Sequence, residues 1–192
     1  MKIPLRFQIT SFDCGTVSLT NAISYLFERE EIPAELIRAI SIYTLDCYDE
    51  NGNLGNGGTS RESVNLVSNW ITNFTKTKDF KIICERLEGK EVTLEKIKSC
   101  IKKKGAVLVR LWLEDVEHYV ILTNIDDQYV YLFDPYYFEE DYYDNDSEVK
   151  MIFDQPFTHN RIVTLKRFLS EGKKDFALGK IAKRECVLIY RK

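Results

Sequence analysis

The residue in this chain best suited to start chemistry is Cys14. A thiol acts as a nucleophile only as the thiolate, and a helix N-terminus favours that form because its partial positive charge lowers the thiol pKa. Residues 14–29 place Val17, Leu19, Ile23, Leu26 and Phe27 at the spacing of a helical face, with Asp13 positioned to cap it. This predicts that Cys14 opens the first helix. Gly15 beside it is expected to leave room for a substrate backbone. Gln8, six residues upstream, carries a side-chain amide that would join the Cys14 backbone N–H as an oxyanion hole.

A thiolate nucleophile needs a histidine base, and that base needs a third group to fix its tautomer. The chain has 2 histidines, His118 and His159. His118 opens the run His118-Tyr119-Val120-Ile121-Leu122-Thr123-Asn124-Ile125, which reads as a strand. After the turn Asp126-Asp127-Gln128, a second strand, Tyr129 to Phe133, leads into Asp134, and Pro135 stops it. In a tight antiparallel hairpin the start of one strand lies beside the end of its partner, so His118 and Asp134 are predicted neighbours. His159 is the rival base. It stands in Pro156-Phe157-Thr158-His159-Asn160, and Asn160 beside it suggests a Cys-His-Asn scheme, although an adjacent Asn is poorly placed to orient its own His.

The elements that must hold these groups follow from the same periodicities. A second helix is expected from Pro33 through Leu36, Ile37, Ile40 and Leu45, and a third from Thr59 or Ser60 through Trp70 and Phe74. A fourth is expected from Thr93 to Lys104, ended by Gly105. The loop 51–58, with four glycines and three asparagines, is read as a connection, or else as a flexible flap over the cleft. Strands are then predicted at 106–112, 118–125, 129–133, 161–163 and 186–191, with a short helix at 165–170. Helices first and an antiparallel sheet afterwards make an α+β architecture. Glu139, Glu140, Asp141, Asp144, Asp146 and Glu148 lie in a segment, 136–150, read as a solvated loop. The sharper alternative is a recognition surface for a basic peptide. A calcium loop does not fit, since the glycine and terminal glutamate of that motif are missing.

With 192 residues, 44% hydrophobic and 30% charged, the chain suits one domain over residues 1–192 with a packed core. A net charge of −3 offers no basic footprint for nucleic acid. No stretch is long and apolar enough to span a membrane, and Met1 to Gln8 carry charge and proline where a signal peptide needs an apolar run. The 5 cysteines, Cys14, Cys47, Cys84, Cys100 and Cys186, are odd in number and contain no Cys-x-x-Cys pair. They read as reduced thiols in a cytoplasmic setting rather than as a zinc site or a disulfide framework. All but Cys14 are expected to be small buried hydrophobes.

Gln8 six residues before Asp13-Cys14-Gly15, then His118-Tyr119-Val120-Ile121-Leu122 and Phe133-Asp134-Pro135, resemble the motifs of the bacteriocin-processing cysteine peptidases. These are papain-like enzymes that cut leader peptides after a double glycine. The resemblance spans residues 8–135. It implies a papain-like fold, a Cys14–His118–Asp134 triad with Gln8 supporting the oxyanion, and hydrolysis of a peptide bond after small residues or glycine. It implies no metal or organic cofactor. The family's best-known members are fused to an export transporter, whereas this chain has neither a membrane span nor a phosphate-binding loop of the Gly-x-x-x-x-Gly-Lys-Ser/Thr type. Two other functions fit the same residues: an acyltransferase that passes the acyl group from Cys14 to an amine, and a peptide-binding relative without catalysis.

Overall fold

The computed structural model describes residues 1–77 and 80–192. Three helices come first: α1 (Cys14–Leu26), α2 (Ala34–Tyr43) and α3 (Arg61–Thr77). Strand β1 (Ile82–Glu88) precedes α4 (Leu94–Lys102), and β2 (Ala106–Leu113), β3 (Val116–Ile125), β4 (Tyr129–Phe133), β5 (Val149–Met151), β6 (Arg161–Thr164), α5 (Leu165–Leu169) and β7 (Glu185–Arg191) follow. The strands form one antiparallel sheet in the order β1-β7-β2-β3-β4-β6-β5. The α+β architecture expected from the periodicities is therefore present.

The sheet is apolar on both faces, which explains the unbroken apolar runs of its central strands. Ala106 and Leu108 of β2, Tyr119 and Ile121 of β3, and Val187 and Ile189 of β7 face Leu19 and Ile23 of α1, Leu36 and Ile40 of α2, and Val67 and Ile71 of α3. The alternate residues Val107, Val109, Leu111, Val120, Leu122 and Leu188 face Ile97 and Cys100 of α4 and Phe168 of α5. Period-2 alternation thus feeds two cores from one sheet.

Several expectations need correction. Strand β1 lies in a segment with no strand expected, where charges at Glu85, Arg86 and Glu88 interrupt the apolar pattern; it pairs along its whole length with β7. The segment 136–150 ends in β5, on the sheet edge beside β6. β3 begins two residues before His118, in a hairpin with β2 whose turn residues Glu114 and Asp115 have positive φ of 46° and 65°. Part of the acidic run is structural: Asp146 and Glu148 grip Arg167 of α5 at 2.9 and 3.1 Å, while Glu139, Glu140, Asp141 and Asp144 are exposed.

Candidate active site

Cys14 is the first residue of α1, as its sequence context predicts. Asp13 does not cap that helix. Its carboxylate instead accepts hydrogen bonds from the backbone N–H groups of Ile9 (3.2 Å) and Thr10 (2.9 Å) and from the Thr10 hydroxyl (2.8 Å). No side chain caps α1, and its first turn carries no acidic residue. The N–H groups of the first turn of α1 are therefore not engaged by the Asp13 carboxylate, and the positive end of the helix is left beside Cys14.

The Pro135 stop shapes the other wall. β4 ends at Phe133, whose ladder partner on β3 is Ile121. The Tyr119 backbone thus lies beyond the last β3–β4 pair. Its carbonyl accepts a hydrogen bond from the Ser18 hydroxyl of α1 at 2.9 Å, and its N–H reaches the Cys14 sulfur, as does that of Gly15. The early stop of one strand opens the place where the first turn of α1 meets β3.

His118 and Asp134 lie diagonally across the end of the β3–β4 hairpin rather than directly opposite. His118 Nε2 sits 2.7 Å from Asp134 Oδ1, with both side chains buried. With Nε2 held by the carboxylate, Nδ1 is the ring nitrogen left to face the Cys14 thiol, and the two groups are near enough to shift each other's pKa. Asp134 is held in turn. Its backbone N–H donates to Asn160 Oδ1 and its carbonyl accepts from Asn160 Nδ2, both at 2.8 Å. Oδ1 also accepts the Tyr136 N–H at 2.9 Å. Oδ2 has no hydrogen-bond partner and faces the buried Arg161 guanidinium at 3.8 Å. Arg161 donates to the Asn160 carbonyl at 2.9 Å and the Tyr136 carbonyl at 3.2 Å.

The electrostatics follow from this chain of contacts. Burial pushes the Cys14 thiol up, but the hydrogen bond and charge of His118, with the Tyr119 and Gly15 N–H groups, bring it below its ordinary value. Burial pulls His118 down, and the charge and hydrogen bond of Asp134, with those of Cys14, overcome this and raise it to about 10. The arrangement favours a thiolate–imidazolium pair. In contrast, burial raises Cys84 to about 12 and Cys100 to about 11.

Cys14 and His118 open into a cleft of about 710 Å³. Phe12, Val116 and Tyr136 form apolar parts of its wall, and Arg61, Arg110 and Glu117 a charged part. Asn56, Gly57 and Gly58 from the glycine–asparagine loop also line it. Beneath the charged wall lies the fully buried Glu185, within 3.4 Å of Arg61 and 3.6 Å of Arg86, and its Oε1 accepts the Tyr119 hydroxyl at 3.3 Å.

The expectation for Gly15 changes at this site. The space beside Gly15 is filled by Thr59: a Cβ on residue 15 would lie 2.6 Å from Thr59 Cβ and Oγ1, so the glycine admits a neighbouring side chain rather than a substrate backbone. Gln8 is tied to the site by its backbone N–H, which donates to the Pro135 carbonyl at 2.8 Å. Its Nε2 donates to the Thr10 carbonyl at 2.7 Å, and its Oε1 is buried without a partner. That leaves Nε2 one further N–H.

His159 lies in another hollow, with Tyr25 and Thr123. Its Nδ1 is 3.0 Å from Thr158 Oγ1, and its ring meets Tyr131 edge-on. Burial lowers its pKa. Asn160 serves Asp134 instead of His159. Sequence reasoning missed Asn160 in that role, along with Arg161 and Thr59. Asn160 was visible as a polar residue beside a histidine, whereas Arg161 carried no signal and Thr59 read only as a candidate start of the third helix. Among the described residues, no group of three or more His, Cys, Asp or Glu converges as metal ligands. No helix among them is long and apolar enough to cross a membrane.

No protein-family model matches the chain, and no curated protein matches it. Among solved structures it is similar to a double glycine motif protease from an AMS/PCAT transporter, crystallised in complex with the leader peptide, at 13% identity and a TM-score of 0.47, over 100% of this chain and 93% of that one.

Proposed function

We propose that this chain is a papain-like cysteine peptidase domain that hydrolyses peptide bonds through Cys14, His118 and Asp134. The observation that carries the reading is the 2.7 Å contact of His118 with the buried Asp134 beside Cys14 in one cleft, with the thiol pKa lowered and the imidazole pKa raised. In this reading the Cys14 thiolate attacks the scissile carbonyl. The Cys14 N–H and the remaining Gln8 N–H receive the oxyanion. The His118 imidazolium protonates the leaving amine, then takes a proton from the water that opens the thioester and returns it to the sulfur. Asp134 keeps Nε2–H pointed at itself and Nδ1 toward the sulfur. The resemblance to bacteriocin-processing peptidases extends the reading to small residues or glycine before the cut. All five cysteines are unpaired, which fits a reducing compartment.

The test is the rate of Cys14 alkylation by iodoacetamide from about pH 4 to 9, followed by mass spectrometry, in wild type and His118→Ala. An ordinary thiol titrates at about 8.5. Wild type should react rapidly well below that pH. In His118→Ala the opposing contribution of burial remains, so the rise should move above the ordinary value. Identical slow profiles for both proteins would sink the reading. Partition of an acyl-enzyme between water and an added amine separates the hydrolase from an acyltransferase.

A further inference from the structure

We propose that a small basic pocket at the charged end of the cleft receives an acidic side chain of the peptide substrate; the proposal rests on the peptidase reading. The pocket has a volume of about 180 Å³, enough for one side chain and too small for a typical organic cofactor. It shares Arg110 and Glu117 with the cleft that holds Cys14 and His118, so a peptide lying in the cleft passes its mouth. Its other charged walls are Lys173, Lys180, Lys183 and Glu171.

Four cations therefore face two carboxylates, and one of those carboxylates is already committed. Glu117 pairs with Arg110 and, at 3.3 Å, with Arg61. Arg110 Nη1 has no acceptor. Lys180 and Lys183 form no ion pair among the described residues, and Lys173 Nζ lies over the Trp112 ring, 4.4 Å from its centroid.

The lysines are carried on a braced segment. Gly179, at φ +70°, lies so close to Trp112 that a Cβ there would be 2.4 Å from the indole nitrogen. Its carbonyl accepts from Arg184 Nε at 3.0 Å, and the Lys183 carbonyl accepts from Arg61 Nη2 at 2.8 Å. The backbone from 179 to 184 is thus pinned at both ends, against β2 and against the start of α3. Surplus positive charge on a fixed frame beside a substrate cleft suits a carboxylate, which would accept charge-assisted hydrogen bonds from the lysines and Arg110. A partly enclosed site strengthens such bonds relative to open water.

The test uses a random dodecapeptide display library selected on the full chain carrying Cys14→Ala, which prevents cleavage. Asp or Glu should be enriched at one position, and the enrichment should vanish when Lys180→Gln and Lys183→Gln are added. A selected peptide should bind about tenfold more tightly than its Glu→Gln counterpart, and the ratio should fall toward one in the double lysine variant. Absence of an acidic preference, or one that survives the lysine changes, overturns the proposal. So does stabilisation by inorganic phosphate that depends on the two lysines without any acidic preference in peptides, since the pocket would then serve a free anion. Alkylation of Cys14 in the Lys180→Gln/Lys183→Gln protein with its native Cys14 is the control: a wild-type rate shows that the nucleophile is intact and confines any failure to the pocket. If alkylation is slow and independent of His118 in wild type, the peptidase reading fails and the subsite falls with it.

Discussion

Asp134 has more partners than His118, the one residue its position in the sequence suggests. It touches His118 and Tyr136 through Oδ1, is clamped at both backbone polar groups by Asn160, and leaves Oδ2 facing Arg161. Asp134→Asn should keep this geometry while turning part of the acceptor face into a donor, which disfavours the tautomer with Nε2–H. A loss of about 10²–10⁴ in kcat/KM is expected, with little change in KM. The check is steady-state kinetics on a cleaved peptide. Arg161 raises a different expectation. Taking one partner from a buried ion pair strands the other charge, so Arg161→Met should cost about 3–5 kcal/mol in urea unfolding, and Arg161→Lys less. A cost below about 1 kcal/mol would mean that Asp134 does not depend on it. The sequence singled out Cys14, His118 and Asp134 because their types and order are unusual together. Arg161 was not legible, because a charged residue at the start of a short strand has no distinctive pattern until the fold buries it.

The first helix shows how far an element can be read from its sequence. Its apolar spacing located α1 and put Cys14 at its N-terminus. The use of Asp13 could not be read, since an aspartate there can accept from the helix or from the preceding loop, and the fold chose Ile9 and Thr10. Asp13→Ala should therefore speed amide hydrogen exchange at Ile9 and Thr10 more than in the first turn of α1. Gly15 gives a sharper test. Gly15→Ala drives a Cβ into Thr59, a short side chain with no flexible end to move aside. The expected cost is about 1–3 kcal/mol, with slower Cys14 alkylation. Thr59→Gly in the same protein should restore much of both, whereas a helix-propensity account predicts that Gly15→Ala stabilises. Strand β1 marks the limit at this scale. Its mixed charges hide the alternation, and it becomes a strand because β7 offers a full-length partner.

Across the whole molecule, the two cores share one sheet, so neither can be lost while the other keeps its strands in register. Ile23→Ala on one face should cost about 2–5 kcal/mol, and Phe168→Ala on the other about 3–5 kcal/mol. Far-ultraviolet circular dichroism and tryptophan fluorescence should report the same urea midpoint in each variant, as a single cooperative domain requires. Separate midpoints would show that the faces unfold independently. By itself, the sequence determined the α+β class, most helix and strand positions, and the candidates Gln8, Cys14, His118 and Asp134, because local periodicity and residue type are properties of short segments. Tertiary structure decided the diagonal His118–Asp134 contact, the service of Asn160 and Arg161 to Asp134, the filling of the space at Gly15 by Thr59, and the basic pocket beside the cleft. Each of these depends on segments far apart in the chain meeting in a particular register, and no local pattern encodes that meeting.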